Sequence, residues 1–311
     1  MQNILEIENL NLSFLIDDKK FNCIKNLNLT FEKGKMHSIV GESGCGKTML
    51  MSSVLGILPN NANIDSGKIF FEGQNLLDNA TDLMKIRGRK IAYIPQDPMT
   101  SLNPLYTIEN QLLEVINLDE KKPYDKARKI IIEKLEEVGI QNAEERLKSY
   151  PHELSGGMRQ RIIIAMALLT GAELIIADEP TTALDVTIQA QIMEILVQIK
   201  NSGKTIILIT HNLALVWQYV NTATIMYLGE IVERNSAQGL FKNPQHPYTK
   251  ALIQTLPKNI NEKLKNIKGQ PSPITETISG CAYHPRCDYC MEKCAAEHPE
   301  FKNNVMCHLY S

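Results

Sequence analysis

The segment GESGCGKT, residues 41–48, restricts the fold of this 311-residue chain more than any other. It fits the pattern G-x-x-x-x-G-K-[ST], in which glycines let the backbone curl so that several N–H groups point at phosphate oxygens. The apolar strand MHSIV precedes it and the helical segment KTMLMSSVLGIL follows it, as the pattern requires. The dipole of that helix, the charge of Lys47 and the hydroxyl of Thr48 complete a site for a triphosphate and Mg²⁺. The predicted contacts of this phosphate loop are Gly41, Glu42, Ser43, Gly44, Cys45, Gly46, Lys47 and Thr48.

A second apolar strand ends in two adjacent carboxylates. The segment LIIADEP, residues 174–180, places Asp178 and Glu179 at its carboxyl end. In parallel sheets ligands bind at this edge, so both side chains are expected at the phosphate site. We predict that Asp178 holds Mg²⁺, largely through water, and that Glu179 activates the attacking water as the catalytic base.

A third motif, LSGGMRQR at residues 154–161, predicts another helix that begins next to glycines. Such a helix N-terminus binds anions, although Ser155 also fits an ordinary helix cap. Since the phosphate loop already holds one triphosphate, this second site calls for the nucleotide of another chain. The simplest arrangement is a head-to-tail pair with ATP between Ser155, Gly156 and Gly157 of one chain and the phosphate loop of the other.

The composition excludes several classes of protein. A net charge of −2 argues against nucleic acid as the main partner, and 43% hydrophobic residues exclude wholesale disorder. The first 14 residues lack the basic region of a secretory signal. The longest apolar run, residues 162–169, is far shorter than the roughly 20 residues that span a bilayer. The chain is therefore expected to be soluble and to reach a membrane only through a partner.

Hydrophobic periodicity predicts an α/β fold. Two alternating segments, within residues 4–34, indicate a small antiparallel β subdomain at the N-terminus. Strands then alternate with helices, which favours a mostly parallel sheet with flanking helices. Helical spacing dominates from about residue 100 to residue 158, which predicts a helical subdomain inserted in the core. Residues 256–279 are rich in Asn, Lys and Pro, which indicates a linker to a small Cys-rich tail.

Together these motifs resemble the ATP-binding subunits of ABC transporters, a family with a P-loop ATPase core. The resemblance rests on the order and spacing of motifs over residues 1 to about 235. The signature motif matches LSGGM, the glutamine loop matches Gln96, the D-loop matches Ala183 to Asp185, and the switch histidine matches His211. It implies that Gln96 contacts Mg²⁺ and the lytic water, and that His211 contacts the γ-phosphate. Asn212 follows the histidine where the family frequently has an acidic residue.

The resemblance also implies an aromatic side chain stacked on adenine. Phe14, near the end of the first strand, is the best match, and Phe21 is the second choice. Asp185 joins Ser155, Gly156 and Gly157 as a nucleotide-binding residue. Mg²⁺ is then held by Thr48, Gln96 and Asp178.

The C-terminal part resembles one branch of this family, the ATPase subunits of oligopeptide, dipeptide and nickel importers. The segments NPQHPYTKALIQTLP, residues 243–257, and GCAYHPRC, residues 280–287, carry this similarity. The predicted domains are an ABC ATPase domain, residues 1–255, and a C-terminal extension, residues 256–311. The branch implies a second ATPase subunit in a heterodimer, two transmembrane permease subunits and an external substrate-binding protein. The chain would lie peripherally on the cytoplasmic face of the cell membrane.

Five of the seven cysteines lie between residues 281 and 307. A reducing cytosol disfavours disulfides, and both Zn²⁺ and a [4Fe–4S] cluster remain open from the residues alone. In the importer branch the pattern C-x5-C-x6-C with a distal cysteine binds a [4Fe–4S] cluster. It falls on Cys281, Cys287, Cys294 and Cys307 and makes Cys290 surplus. Cys290 also forms C-x2-C with Cys287, which keeps Zn²⁺ as the alternative. We expect a structural role for this centre, since a short tail with little apolar content needs a staple to fold.

The sequence thus predicts an ATPase that powers import of di- or oligopeptides. A nickel or metal-chelate importer is the alternative. A non-transport ABC ATPase that acts on RNA, DNA or protein complexes, or a metal- or redox-regulated ATPase, is less favoured. The chain has one ATPase domain and only a short helical insertion, whereas those other classes usually carry two such domains or long coiled coils.

Overall fold

The structure, a computed structural model, describes residues 2–182, 184–256 and 267–310. The chain forms two compact units. The first unit comprises Met1–Thr81 and Ile209–Ser311, and the second comprises Asp82–Leu208. The strands are β1 (Asn3–Ile16), β2 (Lys19–Glu32), β3 (Met36–Val40), β4 (Ala62–Phe71), β5 (Gln74–Asn75), β6 (Ile91–Ile94), β7 (Leu174–Asp178), β8 (Thr205–Thr210), β9 (Thr222–Tyr227), β10 (Glu230–Ser236), β11 (Phe301–Lys302) and β12 (Val305–Met306).

The described residues also form α-helices, and short 3₁₀ turns lie at Leu83–Lys85, Pro151–Glu153 and His284–Arg286. The helices are α1 (Lys47–Leu55), α2 (Pro98–Ser101), α3 (Ile108–Ile116), α4 (Tyr124–Glu137), α5 (Ala143–Arg146), α6 (Gly156–Leu169), α7 (Val186–Asn201), α8 (Leu213–Tyr219), α9 (Ala237–Lys242), α10 (Pro247–Gln254) and α11 (Glu292–Ala296).

The first unit opens with a four-stranded antiparallel sheet in the order β2-β1-β4-β5. Alternation along β1 buries Leu5, Ile7, Leu10 and Leu12, each at most 1% exposed. Polar residues between them stay nearer to water, as expected for a sheet that packs on one face. The predicted N-terminal antiparallel subdomain is confirmed.

A second run of strands in the first unit carries the phosphate loop. β3 pairs in parallel with β9, and β9 pairs in antiparallel with β10. The five residues of β3 are all buried, which agrees with a strand covered on both faces. The C-terminal segment extends these strands, because β12 pairs with β10 through Glu233 and Val305, and β11 pairs with β12. This addition to the strands was not predicted from the sequence.

The second unit combines parallel strands with a group of helices. β6 pairs in parallel with β7, where Ile91 lies opposite Leu174, and the strand order is β8-β7-β6. The last residues of β8 belong to the first unit. Helices α2 to α5 and the start of α6 lie in the region predicted to be helical, and α4 buries Ile131 and Leu135 completely. The mixed α/β class with a helical insertion is confirmed.

The predicted linker at residues 256–279 is described only in part. Residues 257–266 of it lie outside the described residues, and residues 267–279 contain no helix or strand. From Gly280 onward the chain folds into short elements against the first unit's own strands. Among the described residues, no helix combines the length and the apolar character that crossing a bilayer requires.

Candidate nucleotide site and C-terminal thiol pocket

The phosphate loop lies in the first unit between β3 and α1. Gly44 and Gly46 have φ of 79° and 103°, a region that glycine enters without strain. A Cβ on Gly41 would come within 2.4 Å of the Met226 carbonyl oxygen, so the loop packs directly on β9. Ser43, Gly44 and Thr48 are exposed at the surface of the loop. The tight curl that phosphate binding needs is therefore built into the backbone.

Lys47 is buried beneath this loop. Its Nζ donates hydrogen bonds to the carbonyl oxygens of Gly41 at 2.8 Å and Glu42 at 2.9 Å. Cys45 is also buried, and burial raises the pKa of its thiol. Cys45 is thus a small buried residue of the loop rather than an exposed thiol. The loop thus holds its own lysine through its carbonyl oxygens.

A cavity of about 160 Å³ borders the loop at Gly44. Phe21 and Cys23 line one side of it, and the C-terminal segment 272–274 with 276–278 lines another. Phe14 is half-buried on β1, opposite Phe21 in the register of β1 and β2, and does not line this cavity. Of the two aromatic side chains considered from the sequence, Phe21 is the one that faces a space next to the phosphate loop.

The acidic pair lies in the second unit, at the end of β7. Asp178 is 2% exposed, and the Tyr93 hydroxyl donates a hydrogen bond to its Oδ2 at 3.0 Å. Burial, and then the adjacent Asp178 charge, raise the pKa of the Tyr93 phenol, so it remains a protonated donor. Sequence reasoning missed Tyr93, because nothing in its motif marks it as a partner of Asp178.

Glu179 and Gln96 are brought together in the second unit. The Gln96 side-chain amide donates to Glu179 Oε2 at 3.1 Å, and the Thr182 hydroxyl donates to the same oxygen at 2.9 Å. Glu179 has a φ of 45°, a left-handed conformation that a non-glycine residue adopts at some cost. The carboxylate is thus oriented by two donors at the carboxyl end of β7.

Two further predicted residues prove to be helix caps in the second unit. Ser155 Oγ accepts the Met158 N–H at the start of α6, and Asp185 Oδ1 accepts the Ile188 N–H at the start of α7. A Cβ on Gly157 would come within 2.9 Å of Ile188 Cγ2, so glycine lets the first turn of α6 lie against α7. Ala183 of the predicted D-loop lies outside the described residues.

His211 follows β8 directly and belongs to the first unit, where its side chain is exposed. Its neighbour Asn212 caps α8, since Asn212 Oδ1 accepts the Ala214 N–H at 3.0 Å. This explains the departure from the family pattern, because Asn and Asp are both good caps. Asn212 therefore keeps the local structure that follows the histidine.

Four cysteines of the C-terminal segment line one small cavity, here called the thiol pocket: Cys281, Cys287, Cys294 and Cys307. They are the four that the family pattern selects, whereas Cys290 is exposed and does not line the cavity. Gly280 has a φ of 64°, and a Cβ there would meet the Cys294 carbonyl oxygen at 2.3 Å. Close backbone packing therefore brings Cys281 next to Cys294.

Burial shifts two thiols of this pocket towards the protonated form. Burial raises the pKa of Cys281 to about 12 and that of Cys287 to about 11. The cavity measures about 10 Å³, roughly the space of one water molecule. Within the part of the chain that the structure describes, no group of three or more His, Cys, Asp or Glu side chains stands in metal-binding geometry.

Comparison with known proteins decides the family. Residues 24–182 match the ABC transporter family, and residues 232–294 match the oligopeptide/dipeptide transporter C-terminal region. The chain belongs to the ABC transporter family. This ABC protein is 41% identical to the dipeptide transport ATP-binding protein DppD of Bacillus subtilis over 304 residues, which cover 96% of this chain and 91% of DppD. It is 42% identical to the oligopeptide transport ATP-binding protein OppD of Haemophilus influenzae, with 94% and 92% covered.

Solved structures agree with this assignment. A dimeric ATP-binding cassette in a post-hydrolysis state with ADP and phosphate matches with a TM-score of 0.67 and 25% identity, covering 75% of this chain and 98% of that one. The protein cbiO1 of Clostridium perfringens, part of the ABC transporter complex cbiONQ, matches with a TM-score of 0.67 and 28% identity, covering 78% and 92%. The predicted family, its peptide-transporter branch and its class as a transport-coupled ATPase are confirmed.

Proposed function

We propose that this ABC ATPase hydrolyses ATP to power the import of di- or oligopeptides. The observation that carries the proposal is the arrangement at Glu179, whose carboxylate is held by Gln96 and Thr182 at the end of β7. A carboxylate fixed by two donors at that edge has the chemistry of a base for an attacking water. The names of the similar proteins, which specify dipeptide and oligopeptide transport, favour a peptide over nickel or a metal chelate.

In the proposed reaction the phosphate loop binds the β- and γ-phosphates of ATP through backbone N–H groups and Lys47. Glu179 takes the proton from the attacking water as the water adds to the γ-phosphorus, and ADP leaves. Gln96 orients the carboxylate of Glu179 through the hydrogen bond to Oε2. His211 is proposed to contact the γ-phosphate.

The remaining site residues keep the roles that their motifs suggest. Thr48, Gln96 and Asp178 offer oxygen ligands of the kind that Mg²⁺ prefers, and the metal would neutralise charge on the phosphates. For the adenine we propose Phe21, which lines the cavity at Gly44, ahead of Phe14. Residues at the starts of α6 and α7 would bind the nucleotide of a second subunit: Ser155, Gly156, Gly157 and Asp185.

The proposed assembly contains two ATPase subunits, as a heterodimer, and two membrane permeases, with an external binding protein that delivers the peptide. This chain would sit on the cytoplasmic face of the membrane, held there by its partners. Residues 1–255 would form the ATPase domain and residues 256–311 the branch-specific extension. The helical region near residues 100–150 is the proposed docking surface for the permeases.

Glu179→Gln in the assembled transporter tests the catalytic assignment. We expect ATP binding to be retained, while hydrolysis and ATP-driven uptake of a labelled dipeptide into vesicles fall by about 10²-fold or more, since the amide cannot accept the proton. Glu194→Gln, at an exposed position of α7, is the matched control and should behave as the wild type. Turnover by Glu179→Gln at the wild-type rate would refute the role of Glu179.

We further propose that the thiol pocket holds a [4Fe–4S] cluster, with Zn²⁺ as the alternative. Four thiols that line one cavity are the type of donor that either centre needs, although they do not stand in metal-binding geometry in this structure. Once deprotonated, Cys281, Cys287, Cys294 and Cys307 would be the ligands. Bound there, the centre would supply a covalent staple for the C-terminal segment rather than electron transfer, because the described residues around it present no second redox group.

Metal analysis and an anaerobic absorption spectrum of the purified chain test this second proposal. We expect Cys294→Ser to lose iron and the broad visible absorption, because its thiol lines the pocket. Cys290→Ser is the control and should keep both, since Cys290 lies outside the pocket. A colourless protein that contains one zinc would show that the centre is Zn²⁺ and not the cluster. An equal loss of iron and absorption from both variants would contradict the proposed ligands.

A further inference from the structure

Arg286, which directly precedes Cys287 in the C-terminal segment, is bonded to the phosphate loop. Its Nη1 donates to Glu42 Oε2 at 2.7 Å, and its Nη2 donates to Glu42 Oε1 at 3.0 Å. The two residues are 244 positions apart in the chain, and both belong to the first unit. Arg286 is 8% exposed, so this is a largely buried, bidentate ion pair of the strong kind.

Every N–H group of this guanidinium has a partner. Beyond Glu42, Nε donates to the Lys268 carbonyl oxygen at 2.8 Å, Nη1 to the Tyr227 hydroxyl at 3.2 Å, and Nη2 to the Gly269 carbonyl oxygen at 3.3 Å. Burial alone would lower the pKa of Arg286, but the bonds to Glu42 and Tyr227 raise it above its usual value. A planar five-donor fork is required here, and lysine cannot reproduce it.

Glu42 is in turn fixed at three points. Arg286 holds its carboxylate, the Tyr248 hydroxyl accepts its backbone N–H at 3.0 Å, and its carbonyl oxygen accepts a bond from Lys47 Nζ at 2.9 Å. Glu42 therefore binds both Arg286, through its carboxylate, and the phosphate-loop residue Lys47, through its carbonyl oxygen. A shift of Glu42 would move the backbone on which that lysine rests.

Buried aromatic rings pack behind Arg286. Tyr227, Tyr248 and Tyr283 form a buried cluster with ring centroids 4.7 to 5.2 Å apart. The guanidinium lies 5.7 Å from the centre of the Tyr227 ring. Tyr248 comes from α10 and Tyr283 from the C-terminal segment, so two branch-specific parts of the chain brace the loop together.

Charge adds a second reason for this contact. The loop is built to bind a polyphosphate, yet Glu42 places a carboxylate at its second position, where like charges would repel. A partly buried carboxylate without its partner would oppose the bound phosphates more strongly than an exposed one. The paired Arg286 neutralises that charge and fixes its direction at the same time.

We propose that Arg286 is a positioning residue of the nucleotide site, which sets ATP affinity by holding and neutralising Glu42. This inference rests on the proposed ATP binding of the loop. The C-terminal extension would then contribute directly to ATP binding. The network holds the phosphate loop of the first unit, so the expected effect is on ATP affinity rather than on the chemical step.

A double-mutant cycle with the isolated chain and a fluorescent methylanthraniloyl derivative of ATP tests the proposal. We expect Arg286→Gln to weaken binding by about tenfold or more, the scale of a charge-assisted pair. Glu42→Gln added to that variant should restore a clear part of the affinity, because the unpaired charge is removed. The ATP affinity of Arg286→Lys should lie between that of Arg286→Gln and that of the wild type, since lysine keeps the charge but loses the planar fork of donors. In the assembled transporter the KM for ATP should rise by a larger factor than kcat falls.

Arg234→Gln is the matched control. Arg234 is a half-buried arginine of the first unit, bonded to Thr30, and makes no hydrogen bond to the phosphate loop. It should lower the melting temperature and leave ATP affinity unchanged. The proposal would be overturned if Arg286→Gln bound ATP with wild-type affinity. It would equally be overturned if the double variant bound ATP no more tightly than Arg286→Gln, or if Arg234→Gln lost as much affinity. A wild-type chain that binds no nucleotide would instead refute the proposed function.

Discussion

The orientation of a functional side chain in this protein depends on the residues that contact it. Glu179 illustrates this, because a left-handed backbone turns it out of the line of β7 and two donors then fix one of its oxygens. Strain of this kind persists only where the surroundings hold it, and it concentrates at functional sites. The conformation therefore supports Glu179 as the catalytic base. Asp178, by contrast, keeps the extended backbone of β7.

His37 on β3 provides a pH-dependent test of the first unit. It is 2% exposed, its Nε2 donates to the Glu32 carbonyl oxygen, and burial lowers its pKa from 6.5 to about 4. Between those values the unfolded chain binds a proton that the folded chain does not. Stability is thus full above pH 6.5 and decreases as the pH falls towards 4.

His37→Gln keeps a donor for Glu32 but does not titrate. We expect the pH-dependent part of the unfolding free energy, roughly 3 kcal/mol over that window, to shrink in the variant. Urea unfolding at several pH values measures this difference. His152→Gln, at an exposed position, should leave the slope unchanged. An unaltered pH dependence in His37→Gln would show that other groups cause the acid sensitivity.

At the scale of elements, the starts of α6 and α7 serve two purposes. Ser155 and Asp185 each satisfy a backbone N–H of the first turn, which stabilises the helix whether or not a nucleotide is bound. The same N-termini carry the positive end of the helix dipole, which attracts phosphate. The ordinary cap and the anion site are therefore not competing interpretations of LSGGM, since one arrangement provides both.

Substitutions at Ser155 separate these two roles. Ser155→Ala removes the cap and should lower the unfolding free energy by about 1 kcal/mol in urea without nucleotide. Ser155→Asp keeps a capping oxygen and should retain stability, yet its charge would repel a γ-phosphate. Hydrolysis in the assembled transporter should therefore fall in the stable Asp variant. Full activity of Ser155→Asp would argue against any phosphate contact at this helix.

At the scale of the whole molecule, the C-terminal segment is integrated into the first unit. β12 joins the strands at β10, and Glu233 of β10 accepts the N–H groups of Gln245 and His246 before α10. Similarity to DppD and OppD continues through this part, because each comparison covers more than nine tenths of the chain. The extension thus belongs to the protein's fold as much as the cassette does.

The sequence alone determined the parts that depend on local rules. The phosphate loop, the strand ending at Asp178 and the helix after Ser155 were predicted because glycine turns, apolar runs and caps act over a few residues. The motifs also selected Cys281, Cys287, Cys294 and Cys307, which the structure places around one cavity. These features need no knowledge of how distant segments meet.

Only the tertiary structure decided which distant residues meet. Tyr93 meets Asp178 from 85 positions away, and Arg286 meets Glu42 from 244 positions away. Packing also decides that Phe21 rather than Phe14 lines the cavity at Gly44. No local pattern marks them, since a tyrosine or an arginine looks the same in a sequence whether it faces solvent or a loop. The chain's motifs thus specify the chemistry of the nucleotide site, and its packing specifies which residues hold that chemistry in place.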